Sequence, residues 1–222
     1  MVSTFAELVD RAGALATPGR HAVLGIAGPP GAGKTTLAQA LVAALPQAWV
    51  AHVPMDGFHL ADVELERLGL RDRKGAPETF DAWGYAALLR RFLAGGDEIV
   101  YAPAFERDLE QPVAGAIPVP SAVRLVVTEG NYLLLGEERW AGLRDVFAEV
   151  WYAELDHDER QRRLIARHVR FGKERDAAVA WATGTDERNA ALIATTRGRA
   201  DLIVPSSLLG SLGADSGHEF LS

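Results

Sequence analysis

Cysteine is absent from the 222 residues, which excludes a disulfide framework and a zinc–thiolate site and agrees with a reducing compartment. A basic surplus is absent too. Lys and Arg total 23 against 30 Asp and Glu, a net charge of -7, so nothing suggests a stripe that neutralises duplex phosphates, and nucleic acid is not an expected partner. Long apolar runs are missing: stretches such as residues 133–135 with their neighbours fall far short of the roughly 20 residues of a membrane span. Residues 1–15 lack the basic segment and apolar stretch of a secretory signal, which makes the cytoplasm the expected location and leaves no membrane partner. Lysine is scarce as well. Only Lys34, Lys74 and Lys173 stand among twenty arginines, and a chain with that bias is expected to keep lysine where a compact, flexible charge is needed.

What is present is organised around Gly28-Pro29-Pro30-Gly31-Ala32-Gly33-Lys34-Thr35, a complete GxxxxGK[ST] phosphate loop. Val23, Leu24, Ile26 and Ala27 before it suit a buried parallel strand, and Leu37, Leu41, Val42 and Leu45 after it recur at helical spacing. In that setting Gly28 and Pro29 shape the turn, and the backbone N–H groups of Gly31, Ala32, Gly33 and the following helix start, as far as Thr36, cradle phosphates. Lys34 reaches the outer phosphates and the Thr35 hydroxyl ligates magnesium. ATP and Mg2+ are therefore the expected cofactors.

At this length one domain is expected, with a core over about 20–205. Thr4 and Glu7 make a capping box for an amphipathic first helix, which Pro18-Gly19 ends. Residues 48–53 read as a second strand, followed by Met55-Asp56-Gly57-Phe58-His59. Ligands bind beyond the carboxyl ends of parallel strands, so Asp56 is expected beside the phosphate loop. A helical piece over 60–68, a polar loop over 71–80 and a helix over 81–93 come next. Short strands at 98–102 and 116–119 flank a hairpin, the expected substrate lobe, taken as 98–120. Strands follow at 124–128, 150–155 and 201–204, and the Ser- and Gly-rich tail 206–222 is expected to be poorly ordered.

The carboxylates specify the reaction class. Glu129 ends a strand as a second magnesium-side carboxylate would, and Asp56 is placed to accept the proton of a hydroxyl attacking the γ-phosphate. Thr35, Glu129 and Asp56 form the expected metal set. Arg160, Arg163, Arg167 and Arg170 share one helix face in a lid expected over 158–185. Asp156, Asp158 and Glu159, each four residues before an arginine, offer surface pairing as the alternative.

Together these motifs resemble the phosphoribulokinase and uridine kinase family of P-loop kinases, which also contains type I pantothenate kinases. Asp56-Gly57-Phe58 is similar to its Asp-Gly-Phe or Asp-Ser-Phe element, whose aspartate is the catalytic base, and Glu129-Gly130 to its Glu-Gly. Residues 74–81 are similar to the Lys-Gly-Phe-Pro-Glu-Ser-Tyr-Asp of pantothenate kinases. Arg163, Arg167 and Gly172-Lys173 fall where the uridine kinase lid carries arginines and Arg-Gly-Arg.

The resemblance implies an α/β three-layer sandwich with a five-stranded parallel sheet flanked by helices, a hairpin lobe and a helical lid. It further implies that Asp56, Lys34, Arg167 and Lys173 are catalytic, that Arg163 joins the nucleotide site, and that His59, Lys74, Phe80, Phe105, Arg107, Glu129 and Tyr132 face the acceptor. Departures at His59-Leu60, His168, Phe171 and Lys173 mean that substrate identity does not carry over. The branch that the motifs resemble most is labelled nucleoside or nucleotide kinase, or fructose-transport-associated kinase. The expected activity is ATP-dependent phosphorylation of a small-molecule hydroxyl, on a nucleoside, sugar or pantothenate-like acceptor, with a homodimer left open. A regulatory GTPase is disfavoured by the absence of an Asn-Lys-x-Asp element. A nucleoside monophosphate kinase would need a basic pocket for the acceptor phosphate.

Overall fold

A computed structural model describes residues 2–215. Helix α1 (Phe5–Leu15) starts at Thr4, whose side chain accepts from the Glu7 N–H. There follow β1 (Ala22–Ala27), α2 (Lys34–Ala44), β2 (Val50–His52), α3 (Asp62–Leu68), α4 (Ala82–Ala94), β3 (Ile99–Glu106), β4 (Gln111–Pro120), β5 (Leu125–Gly130), β6 (Glu149–Ala153), α5 (His157–Arg170), α6 (Arg175–Thr183), α7 (Thr185–Ala194), β7 (Leu202–Val204) and α8 (Ser206–Asp215).

Five strands form one parallel sheet in the order β2-β5-β1-β6-β7. Alternate residues of each strand point to opposite faces, and both faces are covered, which explains the uninterrupted apolar runs read from the sequence. Val23, Val126 and Val150 join Tyr85, Leu89 and Phe92 of α4 on one side. Leu24, Ile26, Val127 and Trp151 pack against Leu8 of α1 and Leu37 and Leu41 of α2 on the other. The result is the expected α/β three-layer sandwich. Within it, the buried Tyr85 hydroxyl lies 2.7 Å from Thr128 Oγ1, and Thr128 donates to the Val53 carbonyl at 2.5 Å, pinning α4 and β5 to the end of β2.

Two expectations are corrected. The hairpin strands pair over 99–106 and 111–120, much longer than the short strands read from sequence. Four prolines obscured that pairing. They are tolerated because β3 and β4 form a two-stranded ribbon apart from the main sheet, and the register shifts between Ala102 and Ala104, around Pro103. The tail expected to be poorly ordered is helical over Ser206–Asp215, where α8 packs on α2 and buries Leu209; residues 216–222 lie outside the described residues. The apolar spacing of Leu208, Leu209 and Leu212 outweighs the low helix propensity of the serines and glycines around it.

Candidate active site

The sheet order places the site. Because β5 lies between β2 and β1, the turn after β2, the end of β5 and the loop after β1 stand side by side, carrying Asp56, Glu129 and the phosphate loop. Glu129 is in register with Ile26, just before that loop begins. The loop itself is held from above by α5. Gly31 has φ 81° and a Cβ there would lie 2.8 Å from Leu164 Cγ, so this position requires glycine both for its backbone and for its close approach to α5.

The donor end is dense with charge. Lys34 is buried and donates to the Pro29 carbonyl at 3.0 Å; burial pushes its ammonium down to about 8, against the pull of Glu129 and Asp56. Thr35 donates to Glu129 Oε1 at 2.9 Å. Burial raises the Glu129 carboxyl above its ordinary value, and Asp56 adds to the rise. Two carboxylates at adjacent strand ends, beside a threonine hydroxyl, suit a divalent cation. Among the described residues no cluster of three or more His, Cys, Asp or Glu could hold a metal by itself. That combination fits magnesium, which takes one or two carboxylates and fills its octahedron with phosphate oxygens and water.

The expected arginine face divides. Arg160 is buried, pairs with Glu187 and approaches the Pro30 carbonyl at 3.5 Å, so it fastens α5 to the phosphate loop. Arg163 donates to Glu159 at 2.7 Å, the surface pairing weighed from the sequence, while its guanidinium also stands beside Gly33. Arg167 projects into the cleft, in contact with its solvent although protein surrounds most of the side chain; that crowding, then Arg107, holds its guanidinium below its ordinary value. Arg170 is exposed and does not line the cleft.

A cavity of about 460 Å³ connects these groups with the hairpin lobe. All three lysines of the chain line it. Lys74 donates to Asp62 at 2.8 Å and to the Glu110 carbonyl, and sits 5.3 Å from the Phe105 ring. Lys173 lies 4.7 Å from the Trp181 ring. Arg107 reaches Asp56 at 3.5 Å. His59 stacks on Phe80 at 3.9 Å and lies 5.1 Å from Phe105. Burial pushes its imidazole down to about 4, so the ring is neutral at physiological pH, and its Nδ1 has no partner among the described residues. Tyr132, expected to face the acceptor, lies behind the wall instead. Its ring packs against Phe80 and Trp140, and its hydroxyl donates to the Gly75 carbonyl at 2.6 Å, steadying the loop that carries Lys74.

Several lining residues were not read as site candidates from the sequence, although His168 stood out as a departure in the lid. His168 on α5 lies 2.7 Å from Asp186 on α7, and Asn189 and Trp181 complete that wall. In the sequence Asp186 reads as an ordinary acidic residue of a helix first turn, and only the packing of α7 against the cleft distinguishes it. Arg71 and Asn131 were likewise hidden in polar loops. Among the described residues no helix is long and apolar enough to cross a membrane.

Known proteins resemble this chain in sequence and fold. The family model described as Phosphoribulokinase / Uridine kinase family matches residues 23–207. The chain is 34% identical over 183 residues to C227.14 of Schizosaccharomyces pombe, a candidate uridine kinase, spanning 77% of this chain and 76% of that one. It is 34% identical over 191 residues to the uncharacterised protein YggC of Escherichia coli K12, spanning 84% and 78%. Its fold superposes with a TM-score of 0.83 on the crystal structure of a candidate fructose transport system kinase from Silicibacter sp. TM1040, at 38% identity over 92% of this chain and 100% of that one.

Proposed function

The chain belongs to the phosphoribulokinase/uridine kinase family, and from that premise we propose that it is an ATP-dependent kinase that phosphorylates a hydroxyl of a small metabolite. The observation that carries this reading is the row of Asp56, Glu129 and Thr35 across three adjacent strand ends and loops, with Arg107 of the hairpin 3.5 Å from Asp56. A phosphate loop alone is shared by hydrolases and switches. A carboxylate beside it that opens onto a cavity lined by lysines, arginines and aromatic rings is what an acceptor hydroxyl requires.

In this reading the loop 28–36 and Lys34 bind the triphosphate, and Thr35 and Glu129, with Asp56, would hold magnesium. Bound there, the ion would offset phosphate charge. Asp56 accepts the hydroxyl proton as the acceptor oxygen closes on the γ-phosphorus. Arg167 and Lys173 make no ion pair with a carboxylate among the described residues, so their donors are free to meet the transferring phosphoryl group from the lid. Arg163 stands by the loop, and His59, Lys74, Phe80 and Arg107 form the acceptor wall. Most of the rate enhancement comes from positioning and charge stabilisation.

Asp56→Asn tests the assignment. It preserves shape and should leave ATP affinity within a few-fold, while turnover falls by about 100- to 10,000-fold, the usual contribution of a general base. The measurement is transfer of label from ATP to acceptor beside equilibrium ATP binding. Turnover retained in the variant would remove Asp56 from the role.

A further inference from the structure

Charged groups stand at both ends of the cleft, with Asp56 acting on each and Arg107 reaching Arg167 across them. Lys34 feels Glu129, Asp56, Arg167 and Asp186, and this set surrounds the phosphate loop. His59 feels Asp56, Lys74 and Arg107, and this set lies between the loop 71–80 and the hairpin. It holds two full cations, His59 being neutral.

Unused hydrogen-bonding capacity points the same way. A guanidinium carries five N–H donors. Arg107 makes no hydrogen bond among the described residues; its partners are Asp56 at 3.5 Å and the Phe171 ring at 5.6 Å. Lys74 is held near the cleft by the Phe105 ring and shares a single carboxylate with Arg71: Asp62 stands 2.8 Å from one and 2.9 Å from the other. Arg71 also reaches Glu66 at 3.7 Å, so both cations are paired, and what stays open at Lys74 is one N–H donor of three beyond those given to Asp62 and the Glu110 carbonyl. Glu110 is the remaining carboxylate lining this corner, exposed at the hairpin tip, where its carbonyl accepts from Lys74.

Resting on the kinase reading above, we propose that the acceptor is an anionic hydroxyl compound whose carboxylate or phosphate is held by Arg107 and Lys74 while its hydroxyl lies on Asp56. Phe80 and Phe105 form the apolar wall for its carbon skeleton. Arg107 touches Asp56, so the anionic group sits within a few bonds of the reacting hydroxyl. In the transfer an acceptor O–P bond forms, and the bond from the γ-phosphorus to the β–γ bridging oxygen breaks. The hydroxyl proton passes to the Asp56 carboxylate, and ADP leaves. A neutral acceptor would offer the donors of Arg107 only hydroxyl or carbonyl oxygens, without the charge assistance and bidentate geometry that a carboxylate or phosphate supplies.

Calorimetric titration of the full chain, with ADP and magnesium filling the donor end, tests the anion site directly. The probes are the matched sets glycerol, glycerate and glycerol phosphate, and ribose, ribonate and ribose phosphate, with uridine. At least one anion should bind tenfold or more tightly than its neutral parent, and the comparison of acid with phosphate identifies the anionic group. Lys74→Gln and Arg107→Gln should each weaken that anion by about 10- to 100-fold, the worth of a charge-assisted hydrogen bond, with ADP affinity unchanged within about twofold. Lys74→Arg should restore most of the loss. Equal binding of anion and parent, indifference of the anion to both substitutions, or no anion binding would each overturn the proposal. Transfer from radiolabelled ATP to the same panel checks the kinase reading separately: hydrolysis with no labelled acceptor, or transfer to a phosphate oxygen, sinks that reading even where the anion site stands.

Discussion

Gly57→Ala probes how the fold holds the candidate base in place. Gly57 follows Asp56 directly, and β3 of the hairpin runs across it. A Cβ at this position would stand 2.3 Å from the Pro103 oxygen and 2.7 Å from its carbonyl carbon, both inside the 3.0 Å that Cβ contacts respect, and 3.3 Å from Ala104 Cα. The obstruction is backbone, so no rotamer change relieves it. Either the turn carrying Asp56 or the ribbon carrying Arg107 must shift, and the two are the partners of the 3.5 Å ion pair. Overpacking of this kind costs about 1–3 kcal/mol, which for a chain of this size lowers Tm by roughly 2–12 °C. A displacement of about 1 Å at the reacting groups costs on the order of 100-fold in rate. The expected result is a lower Tm by thermal denaturation, kcat reduced by one to two orders of magnitude, and ATP affinity near that of the wild type, since the phosphate loop is not touched. A variant that melts with the wild type and turns over normally would show that the hairpin does not position Asp56.

Glu129→Gln should separate stability from function. Burial, then Asp56, raises the folded Glu129 carboxyl above its unfolded value of 4.5, so ionising it in the folded state costs stability. That cost is absent below the unfolded value and grows as pH rises toward the folded one. Melting without nucleotide should therefore match the wild type at low pH and exceed it at neutral pH, while stabilisation by ATP with magnesium is lost; equal melting at neutral pH would contradict the burial argument. Thr128→Val strands the buried Tyr85 hydroxyl and should cost about 1–3 kcal/mol, whereas adding Tyr85→Phe should return part of it, because removing both partners avoids an unsatisfied group. Additive losses in denaturant titration would refute the coupling.

Recognition of the donor end needed no structure. The phosphate loop combines a short pattern with a flanking strand and helix, and Asp56 and Glu129 each end an apolar run, so local chemistry and the rule that parallel sheets bind at their carboxyl ends were sufficient to name them. The scarcity of lysine also carried information, since Lys34, Lys74 and Lys173 all line one cavity. Tyr132 shows the opposite. Its place beside Glu129-Gly130 suggested an acceptor contact, yet the aromatic packing around Phe80 and Trp140 turns its hydroxyl toward the Gly75 carbonyl.

The sequence by itself determined the fold class, the phosphate-binding end and the pair of strand-end carboxylates, because each is written in contiguous residues whose conformation is set by neighbours a few positions away. Only the tertiary structure decided how the arginine face of α5 divides, which wall α7 supplies through Asp186 and Asn189, and which cation stands beside Asp56. Those depend on contacts between segments far apart in the chain. Arg107 and Asp56 are joined by the hairpin folding back over the turn after β2, and no local pattern in either segment encodes that crossing.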